Sequence, residues 1–159
     1  MTHNSSHLRD RDQVLINTAK TAIGWSGFKQ RHNHAGHVIG VAELTDMQGV
    51  TIPGLTLQIE VKAAADVQRC LYLFSIMQTV KTKRTPAYQL EVAPADKRTH
   101  NGVTTIYGPH EHVGRDDEPT AVVNSDVTCD NWDGALLWFF NRVSIVPFPI
   151  ENPNGTTQL

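Results

Sequence analysis

Leu55-Thr56-Leu57-Gln58-Ile59-Glu60-Val61-Lys62 alternates apolar and polar side chains over eight positions without an error. A period of two puts the apolar residues on one face of an extended chain and the polar ones on the other, the pattern of a half-buried strand. Gln48-Gly49 and Pro53-Gly54 punctuate its approach, and Val38–Leu44 is the expected neighbour, joined through a turn at 46–49. Arg69–Lys81 follows, apolar on both faces: Cys70, Tyr72, Phe74 and Ile76 on one, Leu71, Leu73 and Met77 on the other. It reads as a central strand, with a buried helix as the alternative because a short apolar run does not separate the two. Ala87–Val92 alternates again. Asn101-Gly102 is a strong hairpin signal, so Val103–Tyr107 is expected to pair with the segment before it.

Earlier, Asp12–Ala19 opens either a strand or a helix, and β-branched Val14 and Ile16 favour a strand. Gly24–Gly27 interrupts it. Residues 63–66 read as a turn or a short helical piece, and 115–118 as an acidic loop. Near the other end, Asp130 or Asn131 can cap a helix, and Trp132, Ala135, Leu136, Phe139, Phe140 and Val143 follow at helical spacing. Residues 131–143 are therefore an amphipathic helix, its two tryptophans core residues, until Pro147, Pro149 and Pro153 forbid more. A run of strands followed by one helix, without βαβ alternation, predicts an α+β fold with a mainly antiparallel sheet and the helix packed on it. One domain spanning 1–159 is expected, loose over 1–11 and 152–159.

With 40% hydrophobic and 19% charged residues the composition is that of an ordinary globular protein. No apolar run reaches the eighteen residues or so of a membrane span, and the first residues lack a signal-peptide core. Cys70 and Cys129 give no disulfide framework, and Cys70, in an apolar run, reads as a buried free thiol. A cytoplasmic location follows. The net charge of −2 is uneven: up to Arg98 there are 12 Lys+Arg against 8 Asp+Glu, and from Thr99 onward 2 against 8. Lys81, Lys83, Arg84, Lys97 and Arg98 are candidates for a basic strip able to hold a phosphate backbone. The acidic C-terminal part would then face a partner or flank the site.

Two of the eight histidines sit in Gly108-Pro109-His110-Glu111-His112-Val113-Gly114. On extended backbone, side chains two apart share a side, so the rings of His110 and His112 converge while Glu111 faces away. A histidine pair can supply both acid and base near neutral pH. Metal-independent RNA cleavage needs such a pair, with cations for the charge developing on phosphate. His110, His112 and His100 are the candidate catalytic residues. Arg84, Lys83 and Arg98 are the candidate phosphate ligands, with Tyr88 and Tyr107 to orient phosphate or stack a base. The alternative use of the pair is a divalent metal such as zinc, iron or nickel. His32, His34 and His37 would then complete the ligand set or form their own. A third reading is a non-catalytic interaction module of antitoxin or immunity type, with structural histidines. No nucleophile elbow or phosphate-binding glycine loop is present.

Two family resemblances bear on these readings. The His-x-His after a glycine partly resembles the first cupin motif, with Glu118 near its acidic position; it implies a metal-binding β-rich protein. More of the chain is covered by a second. Residues 84–92, His100-Asn101-Gly102 and Gly108–Gly114, ahead of the helix at 131–143, resemble the core of the TumE-type toxins and related small bacterial proteins. The resemblance spans roughly residues 80–145, with Glu91 where that family's central strand has Asp. It implies a toxin of a toxin–antitoxin module acting on RNA, with a cognate antitoxin as partner.

Overall fold

In the computed structural model, residues 11–62, 69–114 and 118–154 are described. Residues 11–17 form a short helix, α1. The strands are β1 (Thr21–Ile23), β2 (Lys29–Gln30), β3 (His37–Thr45), β4 (Thr51–Lys62), β5 (Leu71–Val80), β6 (Lys83–Val92), β7 (Arg98–Asn101), β8 (Thr105–Tyr107), β9 (His110–Val113) and β10 (Thr120–Ala121), followed by helix α2 (Trp132–Val143). Eight strands make one sheet in the order β1-β3-β4-β5-β6-β9-β10, with β2 also on β3; β7 and β8 form a separate ribbon. Every pairing between these strands is antiparallel. The fold is α+β, a mainly antiparallel sheet with α2 packed on it over β5 and β6.

One face of the sheet makes the core. Leu57, Ile59 and Val61 of β4, Tyr72, Phe74 and Ile76 of β5, and Tyr88, Leu90 and Val92 of β6 are all buried there. Phe74 stacks on Phe139 of α2 at 5.3 Å and Tyr72 meets Trp132 edge-on at 5.0 Å. The helix begins at Asn131, whose side chain accepts from the Gly134 N–H, and ends at Ser144 in the left-handed region. Beneath that end lies Lys20, its Nζ donating to the carbonyls of Val143 and Thr18. Burial lowers its pKa from 10.5 to about 8.

Several expectations are corrected. Residues 11–17 are helical, not extended: Ile16 is fully buried while Val14 is 64% exposed. Asp12 accepts from Gln78 Nε2 at 2.8 Å, so contacts with β5 override the β propensity of Val14 and Ile16. Pro53-Gly54 lies inside β4 rather than ahead of it, at a register shift opposite Glu43–Thr45 where no ladder N–H is needed from proline. β8 starts at Thr105, and its hairpin leaves the main sheet. Cys70 is not a free thiol: it is bonded to Cys129, with Cα atoms 5.4 Å apart across 59 residues of sequence. The segment before α2 is laid over the start of β5, where Tyr72 Oη donates to the Cys129 carbonyl at 2.8 Å. The expected turn at 63–66, most of the acidic loop at 115–118 and most of the expected loose ends fall outside the described residues. No helix among the described residues is long and apolar enough to cross a membrane.

Candidate functional site

Strand parity builds the site on the sheet face opposite α2. Cross-strand partners share a face, and the register runs His110–Glu91–Leu73–Glu60–Ile39 in one row and His112–Gln89–Ser75–Gln58–Val41 in the next. This face is mixed: β4 and β6 send Gln58, Glu60, Gln89 and Glu91 to it while their apolar residues go to the core, and β3 and β5 add Ile39, Val41 and Leu73. At its β9 end the rings of His110 and His112 are 5.0 Å apart, edge to face. His110 is 2% exposed. Its Nε2 stands 4.0 Å from Glu91 Oε2, too long for a hydrogen bond but close for an ion pair. Its Nδ1 faces the Gly108 carbonyl at 3.3 Å, which fits a proton on that nitrogen. Thr99 Oγ1 donates to the same carbonyl at 2.9 Å, and the Gly108 N–H donates to Lys97 O, so the base of the β7–β8 ribbon is tied to the turn that sets His110. In the next row Gln89 Nε2 donates to buried Ser75 Oγ at 2.9 Å.

Glu111, between the two histidines, faces the core side. It accepts from Arg142 Nε of α2 at 3.0 Å and from Tyr88 Oη at 2.6 Å, with the Arg142 guanidinium over the Tyr88 ring. Burial and the Glu111 carboxylate push the Tyr88 phenol well above its ordinary pKa. Short strand β9 is thus bolted to α2 from behind, which fixes the histidines in front.

The other candidate residues are spread out. Tyr88 lies in the core, across the sheet from the histidines. Arg84 donates to Thr56 Oγ1 and Lys83 begins β6. Seven residues of strand separate Arg84 from Glu91, about 23 Å. Lys81, Lys83 and Arg84 are thus at one end of β6 and Lys97 and Arg98 beyond the other, so the five cations do not form one strip. Arg98 and exposed Tyr107 are cross-strand partners on the ribbon. His100 is on the same ribbon opposite Ile106, its Nε2 buried against Gly102.

His32, His34 and His37 belong to the turn and strand at β3, four strands from β9 and about 19 Å away. The metal set that joins them to His110 and His112 is not assembled. No group of three or more His, Cys, Asp or Glu among the described residues is placed to hold a metal. His37 Nδ1 instead meets buried Glu60 at 2.8 Å, and Arg31 Nη1 donates to both oxygens of that carboxylate. Glu91, Gln89, Ser75 and Glu60 were not anticipated as site residues. Glu60, Gln89 and Glu91 carry a signal, each a polar residue at the polar parity of an alternating strand, whereas Ser75 sits in a strand that is apolar on both faces and carries none. No family model, curated protein or solved structure matches the chain.

Proposed function

We propose that this protein is a small ribonuclease-like toxin, cleaving RNA by acid–base chemistry without a metal, with His110 and His112 carrying the proton transfers. The observation that carries this is the ring pair, 5.0 Å apart on the sheet face opposite α2 with a carboxylate 4.0 Å from His110. His112, the more exposed ring, takes the proton from a 2′-OH. That oxygen bonds to the adjacent phosphorus, the bond from phosphorus to the 5′-oxygen breaks, and the leaving oxygen takes a proton from the His110 imidazolium. A 2′,3′-cyclic phosphate and a 5′-hydroxyl result. RNA reaches His110 at the rim it shares with His112 and Glu91, whose side chain is 26% exposed.

Arg98 supplies the cation and Tyr107 the stacking ring, both from the ribbon tied to Gly108. Arg84, Lys83 and Tyr88 take no part, given their positions, and His100 serves as a ribbon residue. The resemblance of residues 80–145 to the TumE-type toxins supports RNA as substrate and a cognate antitoxin as partner. An RNA substrate assigns the protein to the cytoplasm. The Cys70–Cys129 bond points the other way, since disulfides persist chiefly in oxidising compartments.

Induced expression in a bacterial host tests this, wild type beside His110→Ala/His112→Ala. Wild type is expected to arrest growth and fragment RNA. The double variant should lose cleavage by roughly 100-fold or more, the usual worth of general acid–base groups. No growth defect, or the same defect in both, overturns the proposal. The second reading is a non-catalytic interaction module, favoured by the near-complete burial of His110 against a backbone carbonyl. On that reading the substitutions lower the melting temperature and leave RNA untouched.

A further inference from the structure

Part of the acidic excess after Arg98 collects around a groove away from the histidine face. An open groove of about 860 Å³ runs between α2 and residues 147–152. Trp132, Leu136 and Phe140, spaced four apart on one stripe of α2, make its floor with Phe148 and Ile150 opposite. Trp132 Nε1 donates to the Ile150 carbonyl at 2.7 Å, so the two walls are pinned together and the groove is preformed. Leu137, 49% exposed, carries the apolar floor out to the open side.

Among the described residues the rim is of one sign: Asp130, Asp133 and Glu151 line it, and no Lys, Arg or His does. Asp133 lies in the first turn of α2, where its charge complements the helix dipole, and Asp130 accepts from Thr128 Oγ1. Glu151 has no such duty. Neither Asp133 nor Glu151 has an ion-pair partner among the described residues. A small apolar molecule in this groove would leave the carboxylates without counter-charge, and an acidic segment would be repelled. A segment with an apolar stripe and cationic flanks answers both features.

We propose that this groove docks a cationic amphipathic segment of a partner protein, a short helix lying along α2 with Lys or Arg opposite Asp130, Asp133 and Glu151. The groove is separate from the histidine face, and the proposal stands whether or not the protein cleaves RNA. The test uses the full chain and a dye-labelled, amidated peptide with Leu at i, i+3, i+4 and i+7 and Lys elsewhere. Anisotropy gives affinity, and backbone amide shifts give location. Saturable binding is expected, with shifts on α2 and 147–152 and weakening by raised salt. Glu151→Lys, which leaves the α2 cap intact, should weaken it by roughly tenfold. Equal binding of a peptide with Glu in place of Lys overturns the proposal, as do shifts elsewhere or an unchanged affinity in Glu151→Lys. So does occupation by the neutral fluorophore N-phenyl-1-naphthylamine where the peptide fails to bind, which would make the groove a small-molecule site.

Discussion

Lys20 has no exposed surface, and among the described residues its ammonium is held by two backbone carbonyls. Its pKa falls to about 8 in the fold, so between pH 8 and 10.5 the folded chain binds fewer protons than the unfolded one. Folding therefore gains from Lys20 as pH rises through that window, by about 3 kcal/mol at most. Tyr72 and Tyr88 act in the opposite sense. Burial raises both, chiefly by desolvation, so above about pH 10 the unfolded chain ionises its tyrosines while the fold keeps them neutral. Thermal melts followed by circular dichroism should show a melting temperature rising from pH 8 toward 10 and falling beyond it. Lys20→Met should flatten the rise and keep the fall; a rise that survives the substitution would assign it to another group.

At the scale of elements, β9 shows how a four-residue strand near a sheet edge is kept in place. Its ladder to β6 is short and β10 adds two residues, so the Glu111–Arg142–Tyr88 link to α2 supplies what the ladder lacks. Arg142→Ala leaves a half-buried carboxylate without its cation and should cost about 3 kcal/mol in urea unfolding. Glu111→Gln/Arg142→Leu, which removes both charges, should cost less than the single change. How far such elements were legible from sequence depends on whether their pattern was their own. β4, β6 and α2 carry alternation or helical spacing within themselves, and β3 and β5 stand out as apolar runs between turn signals, while the early part of β4 through Pro53-Gly54 and of β6 over 83–86 carries no such pattern. β1, β2 and β10 are two or three residues long and exist only because a neighbour pairs with them, so no local pattern announces them. For the site, the i, i+2 spacing was enough to put His110 and His112 on one side. For Arg84 and Tyr88, nearness in sequence to the histidine strand is not nearness in space. A strand carries Arg84 far from Glu91, and strand parity turns Tyr88 to the core.

For the whole molecule, the bond between Cys70 and Cys129 links β5 to the segment that feeds α2. Closing a loop of 59 residues removes unfolded-state freedom worth about 4 kcal/mol in the chain-entropy treatment. Urea midpoints with and without a reducing agent, and for Cys70→Ala/Cys129→Ala, should differ by that order, the reduced protein and the double variant agreeing with each other. Equal midpoints would mean that packing alone holds the segment. The same molecule binds its early and late residues directly: Lys20 N–H donates to Ser144 O, Val146 N–H to Lys20 O, and the Lys20 side chain to Val143 O. During synthesis, then, β1 can pair with β3 as soon as residue 45 is free, but Lys20 just ahead of it meets its late partners only when residue 146 clears the ribosome. The ammonium of Lys20 therefore waits for the carbonyl of Val143, and the closing of α2 over the sheet is what completes its burial.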